Sequence, residues 1–288
     1  MSHFSIASLQ LSLKAGDNLS CIGDEICRTK KRFPWIDMVV LSELCSYGPD
    51  KKYAEQLPGK AELFYSKLAK KENLWIITGS QYEKVGSEIY NTASVIDNQG
   101  NIIERYRKIF PFYPYESGVC SGKDFVVFDV PQGRIGLAIC YDLWFPEVAR
   151  TLTSMGAEVI LYPTLTGTID RPAELVLAQS TSILNQVYTF SINASGDYGN
   201  GQSIITCPEG NIIYQAGNEQ DIMPVEVDFS RVRRVRERGT HGLGQPLKSF
   251  RDSGVELTIY QDDNRKASNF SQLGALEIPR KSTDVKKE

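Results

Sequence analysis

Four short apolar runs limit what this chain can become more than any other feature: Met38-Val-Val-Leu41, Leu74-Trp-Ile-Ile77, Ile135-Gly-Leu-Ala-Ile139 and Val159-Ile-Leu-Tyr-Pro163. Each is too short for a helix, and none alternates as a strand with one wet face would. An unbroken apolar strand is buried on both faces, so it needs a packed layer above and below it. Sheets covered in this way by helices point to a layered α/β domain.

The remaining segments fit that architecture. Residues 4–11 alternate as a strand, and 18–33 carry Leu19, Ile22, Ile26 and Phe33 at helical spacing. A loop rich in Gly and Pro runs to about residue 59, residues 60–72 are helical in composition, and the strand at 74–80 follows. Hairpins come next. Strands 91–97 and 102–106 are joined by Asn98-Gln-Gly-Asn101, and 125–130 and 134–140 flank Pro131-Gln-Gly133. Helices are expected over 146–155 and 172–185, both opening on proline, with strands over 158–163 and 187–194. A last pair, 203–206 and 211–214, straddles Pro208-Glu-Gly210, and 221–229 closes the core. There is no repeat and no mid-chain linker. A single domain is therefore expected over 1–261, with a polar tail over 262–288. An apolar patch at 273–278 lets that tail be read as a frayed end or as an arm that docks on a partner subunit.

Charge and composition remove several classes of function. Thirty-two Lys+Arg against 35 Asp+Glu leave a net charge of −3, so no nucleic-acid partner is expected, and the basic run at 231–238 reads as a solvated helix face. No apolar stretch approaches the ~18 residues of a membrane span. The first residues enter a strand pattern without a charged-then-apolar leader, which points to a cytoplasmic protein with no membrane partner. Six cysteines, none in a CxxC pair, are too few for a disulfide scaffold. Two histidines, His3 and His241, are too few for a His-rich metal site. No metal or organic cofactor is expected, and acid–base chemistry falls to Glu, Asp, Lys or Cys.

Three such residues stand at the carboxyl ends of strands, where ligand crevices form in layered α/β folds: Glu43, Lys108 and Cys140. A thiol becomes a nucleophile as thiolate, and a neighbouring carboxylate can take its proton during attack. A lysine beside them favours the anionic forms and stabilises a developing oxyanion. The passage Ala138-Ile-Cys-Tyr-Asp-Leu-Trp-Phe-Pro-Glu147 is similar to the strand-to-helix turn that exposes a nucleophile in hydrolases, and it leaves the Tyr141 N–H free to face an oxyanion. Taken singly each residue has a plainer reading: a packed thiol, a helix cap, a surface charge. Their co-occurrence favours the chemical one.

Leu41-Ser-Glu-Leu44, Tyr106-Arg-Lys-Ile109 and Gly136 to Glu147 resemble the three signatures of the nitrilase superfamily, the carbon–nitrogen hydrolases. Lysine follows glutamate by 65 residues and cysteine follows lysine by 32, as in that family. The likeness runs from about Phe4 to Phe229. It implies a four-layer αββα sandwich that associates as a homodimer or higher homo-oligomer. It also implies a Glu-Lys-Cys triad in which Glu43 is general base, Lys108 the oxyanion stabiliser and Cys140 the nucleophile. Many members carry a second glutamate eight residues after the lysine, where Glu116 stands here, to position substrate or water. The preceding segment, Ile109-Phe-Pro-Phe-Tyr113, departs from the family's commoner Lys-x-His-Leu-Phe pattern.

Cys140-Tyr-Asp142 resembles the amidase and carbamoylase branches, whereas nitrilases read Cys-Trp-Glu. Trp144 occupies the place of an arginine found in several amidases of carboxylate-bearing substrates. An arginine would grip a carboxylate bidentately and tryptophan cannot. The expected substrate is therefore a neutral or cationic small amide or N-carbamoyl amine, with Trp144 stacking on it or packing beneath the next helix. Tyr47, Phe112, Tyr113, Tyr115 and Phe145 are candidate pocket walls, and Cys45 reads as a packing residue. The alternatives are a nitrilase hydrolysing a C≡N bond with the same triad, or a silent binding subunit.

Overall fold

The first half of the chain runs through β1 (His3–Gln10), β2 (Ser12–Leu13), α1 (Leu19–Arg32), β3 (Met38–Val40), α2 (Lys60–Glu72), β4 (Trp75–Ile77), β5 (Gln81–Val85), β6 (Glu88–Ile96) and β7 (Ile102–Arg107). The second half runs through β8 (Val126–Val130), β9 (Gly133–Leu137), α3 (Pro146–Ser154), β10 (Val159–Pro163), α4 (Arg171–Asn185) and β11 (Tyr188–Ile192). It continues with β12 (Ser195–Gly196), β13 (Ile204–Thr206), β14 (Ile212–Gln215), β15 (Asp221–Asp228), α5 (Phe229–Arg238) and α6 (Pro246–Asp252). This computed structural model describes residues 2–113, 115–261, 269–274 and 276. Most of the expected tail lies outside the described residues; within its apolar patch, Leu273 and Leu276 are exposed.

Seven strands form one sheet in the order β15-β1-β3-β4-β6-β5, with β7 paired to β6, and six form the other in the order β14-β13-β11-β10-β9-β8. The centres are parallel: β1, β3 and β4 in the first sheet, and β9, β10 and β11 in the second. β15 returns antiparallel to β1 along its whole length, from His3↔Asp228 to Gln10↔Asp221.

Strand alternation explains the layering. In β1, Phe4 and Ile6 join the core shared by both sheets, while Ala7 and Leu9 join the core beneath the first pair of helices. Met38 and Val40 face the second sheet, and Val39 faces the helices. Leu19, Ile22 and Ile26 of α1 and Ala61, Tyr65 and Leu68 of α2 cover that outer face. On the other side, Val148 and Leu152 of α3 and Ala178 of α4 pack on the second sheet. The result is an αββα sandwich, and each fully buried Ile, Leu or Phe contributes roughly 1.5–3 kcal/mol to it.

Two departures from the sequence reading have physical causes. β5 pairs antiparallel with β6 from Gln81↔Thr92 to Val85↔Glu88, yet carries little apolar pattern. Its buried Glu83 is satisfied by Arg107 at 2.7 Å and by Thr92 at 2.7 Å, a long-range pairing that local periodicity does not reveal. The basic run forms α5, but it is not merely a solvated face. Arg231 pairs with Glu209 and Arg233 with Glu158, and Arg236 donates to the carbonyls of Gln186 and Ala157, tying the helix to the second sheet.

Candidate active site

Glu43 sits just past β3, where its N–H donates to the Thr164 carbonyl beyond β10 at 3.2 Å. The turn is tight. Leu44 is left-handed, and its N–H donates to Ser80 Oγ at 2.9 Å. Gly79 lies beneath with φ +70°, and a Cβ there would collide with the Ser42 carbonyl, so only glycine lets the two chain segments approach. Lys108 prolongs β7 by one residue, its N–H on the Asn91 carbonyl at 2.8 Å. Glu116 is held by a turn in which Phe112 N–H donates to its Oε2 at 2.6 Å.

Cys140 ends the extension of β9 at φ +47°, a left-handed conformation that L side chains adopt only when the surroundings enforce it. Asp142 enforces it. Its wholly buried carboxylate accepts from the Ile139 N–H at 2.9 Å, the Phe110 N–H at 2.9 Å and the Tyr106 hydroxyl at 2.7 Å. Burial pushes the Asp142 carboxyl up to about 6 against those hydrogen bonds. A 3₁₀ turn from Cys140 to Trp144 then leads into α3, which opens on Pro146. The Tyr141 N–H belongs to that first turn, whose N–H groups lack an intrahelical acceptor.

These elements bring four sequence-identified residues together. Lys108 Nζ donates to Glu43 Oε1 at 2.8 Å and to Glu116 Oε2 at 2.6 Å, and all three side chains are buried with Cys140. Sequence reasoning missed the fourth side of the ring. Asn91 Nδ2 donates to Glu43 Oε1 at 2.8 Å and to Glu116 Oε1 at 2.9 Å. Asn91 shares its strand with Thr92 and Ser94, so local pattern does not single it out; a buried amide requires partners, and here the fold supplies them.

The electrostatics separate the two carboxylates. Burial raises Glu43 above its ordinary value, although Lys108 and a hydrogen bond with Cys140 oppose the shift. Burial also acts to raise Glu116, but Lys108, the Phe112 N–H and Asn91 outweigh it and its carboxyl is lowered. Burial would lower Lys108, yet Glu43, Cys140 and Glu116 hold it well above the usual lysine range. Burial and the Glu43 charge push the Cys140 thiol well up, against Lys108 and the Leu165 N–H. The resting group is a neutral thiol beside a carboxylate whose proton affinity is enhanced, the pairing that a concerted proton transfer requires.

A cavity of about 310 Å³ opens onto Cys140, with Phe112, Tyr115 and Tyr141 among its walls. Larger hollows of about 400 Å³ beside Arg105 and Arg107, and about 650 Å³ beside Arg231 and Arg234, contain no cysteine. Four of the aromatics singled out from the sequence lie outside that lining: Tyr47, Tyr113 and Phe145, named as walls, and Trp144, named for stacking on substrate or packing beneath the next helix. Tyr47 donates to Glu55 at 2.7 Å and stacks on Tyr53, Tyr113 points into solvent, and Trp144 rests against Tyr141 outside the cavity lining. Phe145 stacks on Phe110 with centroids 3.6 Å apart. Cys45 is buried with its sulfur 3.2 Å from the Thr78 carbonyl, as a packing residue would be. Among the described residues, no group of three or more His, Cys, Asp or Glu is arranged to hold a metal ion, and no helix is long and apolar enough to cross a membrane.

Comparison with known proteins agrees with this architecture. The carbon-nitrogen hydrolase family matches residues 6–237. Omega-amidase NIT2 of Mus musculus is 28% identical over 83% of this chain and 93% of its own length. Omega-amidase NIT2-A of Xenopus laevis is 30% identical over 67% of this chain and 75% of its own. The crystal structure of Saccharomyces cerevisiae Nit3, a member of branch 10 of the nitrilase superfamily, superposes with a TM-score of 0.76 at 28% identity, covering 82% of this chain and 94% of that one. A carbon-nitrogen hydrolase from Helicobacter pylori shares the fold with a TM-score of 0.78 at 22% identity, covering 91% of this chain and 98% of that one.

Proposed function

This chain belongs to the carbon–nitrogen hydrolase family, and from that premise we propose that it hydrolyses the non-peptide C–N bond of a small amide or N-carbamoyl amine through a covalent Cys140 thioester. The observation that carries the reading is Cys140 on its left-handed turn, facing a cavity with the Glu43–Lys108–Glu116 cluster behind it. The omega-amidase names of two relatives support amide substrates.

In the proposed sequence, Glu43 accepts the Cys140 proton as sulfur bonds to the carbonyl carbon. The oxyanion so formed is met by Lys108 and the Tyr141 N–H. Glu43 returns the proton to the departing nitrogen, the C–N bond breaks, and ammonia or an amine leaves. Water, deprotonated by Glu43, then attacks the thioester; carboxylic acid departs and the thiol is restored. Glu116 remains ionised on Lys108 and fixes its direction.

We also read residues 1–261 as one catalytic domain and the protein as a cytoplasmic homodimer or larger homo-oligomer. The six free cysteines support a reducing compartment. Exposed Val176, Ile183 and Leu184 on α4 support association.

A panel of primary amides, N-carbamoyl amines and nitriles, assayed for ammonia or amine release with wild type and Cys140→Ala, tests the activity. Release from amides or carbamoyl compounds, lost in the variant, is expected. Turnover of nitriles alone, or release that persists in Cys140→Ala, overturns it.

A further inference from the structure

The charges around the catalytic cavity are one-sided. Its lining includes the carboxylates of Asp170, Glu174 and Asp197, and no lysine, arginine or histidine. These groups share one hollow with the nucleophile, so they meet whatever part of a substrate projects away from the scissile carbonyl.

Glu174 is internally compensated. It is buried, takes the Thr166 hydroxyl at 3.1 Å, and pairs with Arg171 Nη1 at 2.8 Å. Arg171 is itself fully buried and turned inward; its Nη1 also donates to Ser191 Oγ at 3.1 Å and its Nη2 to the Gln202 carbonyl at 2.8 Å, while its Nε is buried without a partner. That arginine therefore balances Glu174 and cannot reach into the cavity for an anionic substrate. The other two carboxylates have no such counter-ion. Asp170 stands at the N-cap of α4 but its side chain makes no capping bond, taking only the Thr168 hydroxyl. Asp197 is exposed at the rim and forms no ion pair among the described residues. Four aromatic side chains, Phe112, Tyr115, Tyr141 and Tyr198, share that lining with Cys140, and aromatic rings are suited to a cation.

We propose that the preferred substrate carries a positive charge at the end remote from its amide, and that Asp170 and Asp197 are the specificity-determining residues that receive it. This rests on the amide-hydrolase reading and narrows it. An amide with a terminal carboxylate would bring like charge to an uncompensated acidic rim, whereas an ammonium there gains attraction from both carboxylates. A volume of about 310 Å³ suits a small substrate in which the two ends sit a few bonds apart.

The test compares three amides of equal chain length: an ω-amino pentanamide, plain pentanamide, and the monoamide of glutaric acid. The readout is kcat/KM from ammonia release. The cationic amide is expected to exceed the neutral one by about tenfold, with the anionic one slowest. In Asp170→Asn and Asp197→Asn the ratio of cationic to neutral rates falls toward one, and in wild type that ratio shrinks as salt is added. Equal rates for the cationic and neutral amides, or a preference for the anionic one, overturn the proposal while leaving the hydrolase reading intact. Silence on all three, with no acyl adduct on Cys140 by mass, overturns both.

Discussion

Asn91 Nδ2 lies 2.8 Å from Glu43 Oε1, and the same nitrogen reaches Glu116 Oε1 at 2.9 Å. One neutral amide thus braces the two carboxylates together with Lys108, sharing Glu43 Oε1 with it and taking the Glu116 oxygen that Lys108 leaves. Removing it leaves two buried anions with a single cation between them. In Asn91→Ala, kcat is expected to fall roughly tenfold to a hundredfold, matching the loss of a hydrogen bond to a charged group at ~1.5–3 kcal/mol. The acid limb of the pH–rate profile should rise at the same time, because Glu43 then holds its proton more tightly. An unshifted limb would mean that Asn91 merely packs.

Glu43 also sets the pH range. Burial places its carboxyl above the ordinary value of 4.5, and only the ionised form can accept the thiol proton. Activity should therefore fall as pH drops through a limb lying above 4.5 in kcat/KM. Because the Cys140 thiol is raised rather than lowered, iodoacetamide labelling at neutral pH should depend on Glu43 and slow in Glu43→Gln. A limb at or below 4.5, or labelling indifferent to Glu43→Gln, would remove Glu43 as the base.

The turn beneath the nucleophile rests on Asp142. In Asp142→Ala the Ile139 N–H, the Phe110 N–H and the Tyr106 hydroxyl all lose their acceptor. Each buried orphan costs about 1–3 kcal/mol, so a loss near 3 kcal/mol or more in urea unfolding is expected, along with loss of turnover. A cost under about 1 kcal/mol would show that this carboxylate does not hold the turn.

Arg171 and Glu174 form a pair three residues apart on α4, both out of solvent. Arg171→Met strands a buried carboxylate and should cost about 3–5 kcal/mol, while the double change Arg171→Met/Glu174→Leu should recover most of that loss. Urea midpoints for the two singles and the double decide it: additive losses would show that the residues do not act as a pair.

What was legible in the chain follows one physical distinction. Glu43, Lys108 and Cys140 could be found because strand ends mark crevices, and apolar runs announce the strands before Glu43 and Cys140 while a hairpin turn announces the one before Lys108. Asn91 could not, because its carboxylate partners come from other segments of the fold; Arg171 and Glu174 are neighbours on one helix, and what local pattern hides is their burial. An i,i+3 Arg–Glu pair on a helix usually reads as a solvated face, and here it is interior. Tyr47, Tyr113 and Trp144 stand outside the cavity lining for the opposite reason. They adjoin the motifs in sequence, but left-handed turns at Leu44 and Cys140 redirect the chain near Tyr47 and Trp144, and Tyr113 lies exposed in the loop after Lys108.

The acid and the thiol come from different sheets: Glu43 and Lys108 extend strands of the seven-stranded one, and Cys140 extends a strand of the six-stranded one. Catalytic geometry is therefore a measure of how the two slabs sit on each other. A shear of about an ångström across their common core would part donor from acceptor while the helices and the ladders within each of the two sheets stayed intact. On warming, turnover should fail before the far-ultraviolet signal does, which makes residual activity a sensitive gauge of alignment between the two sheets.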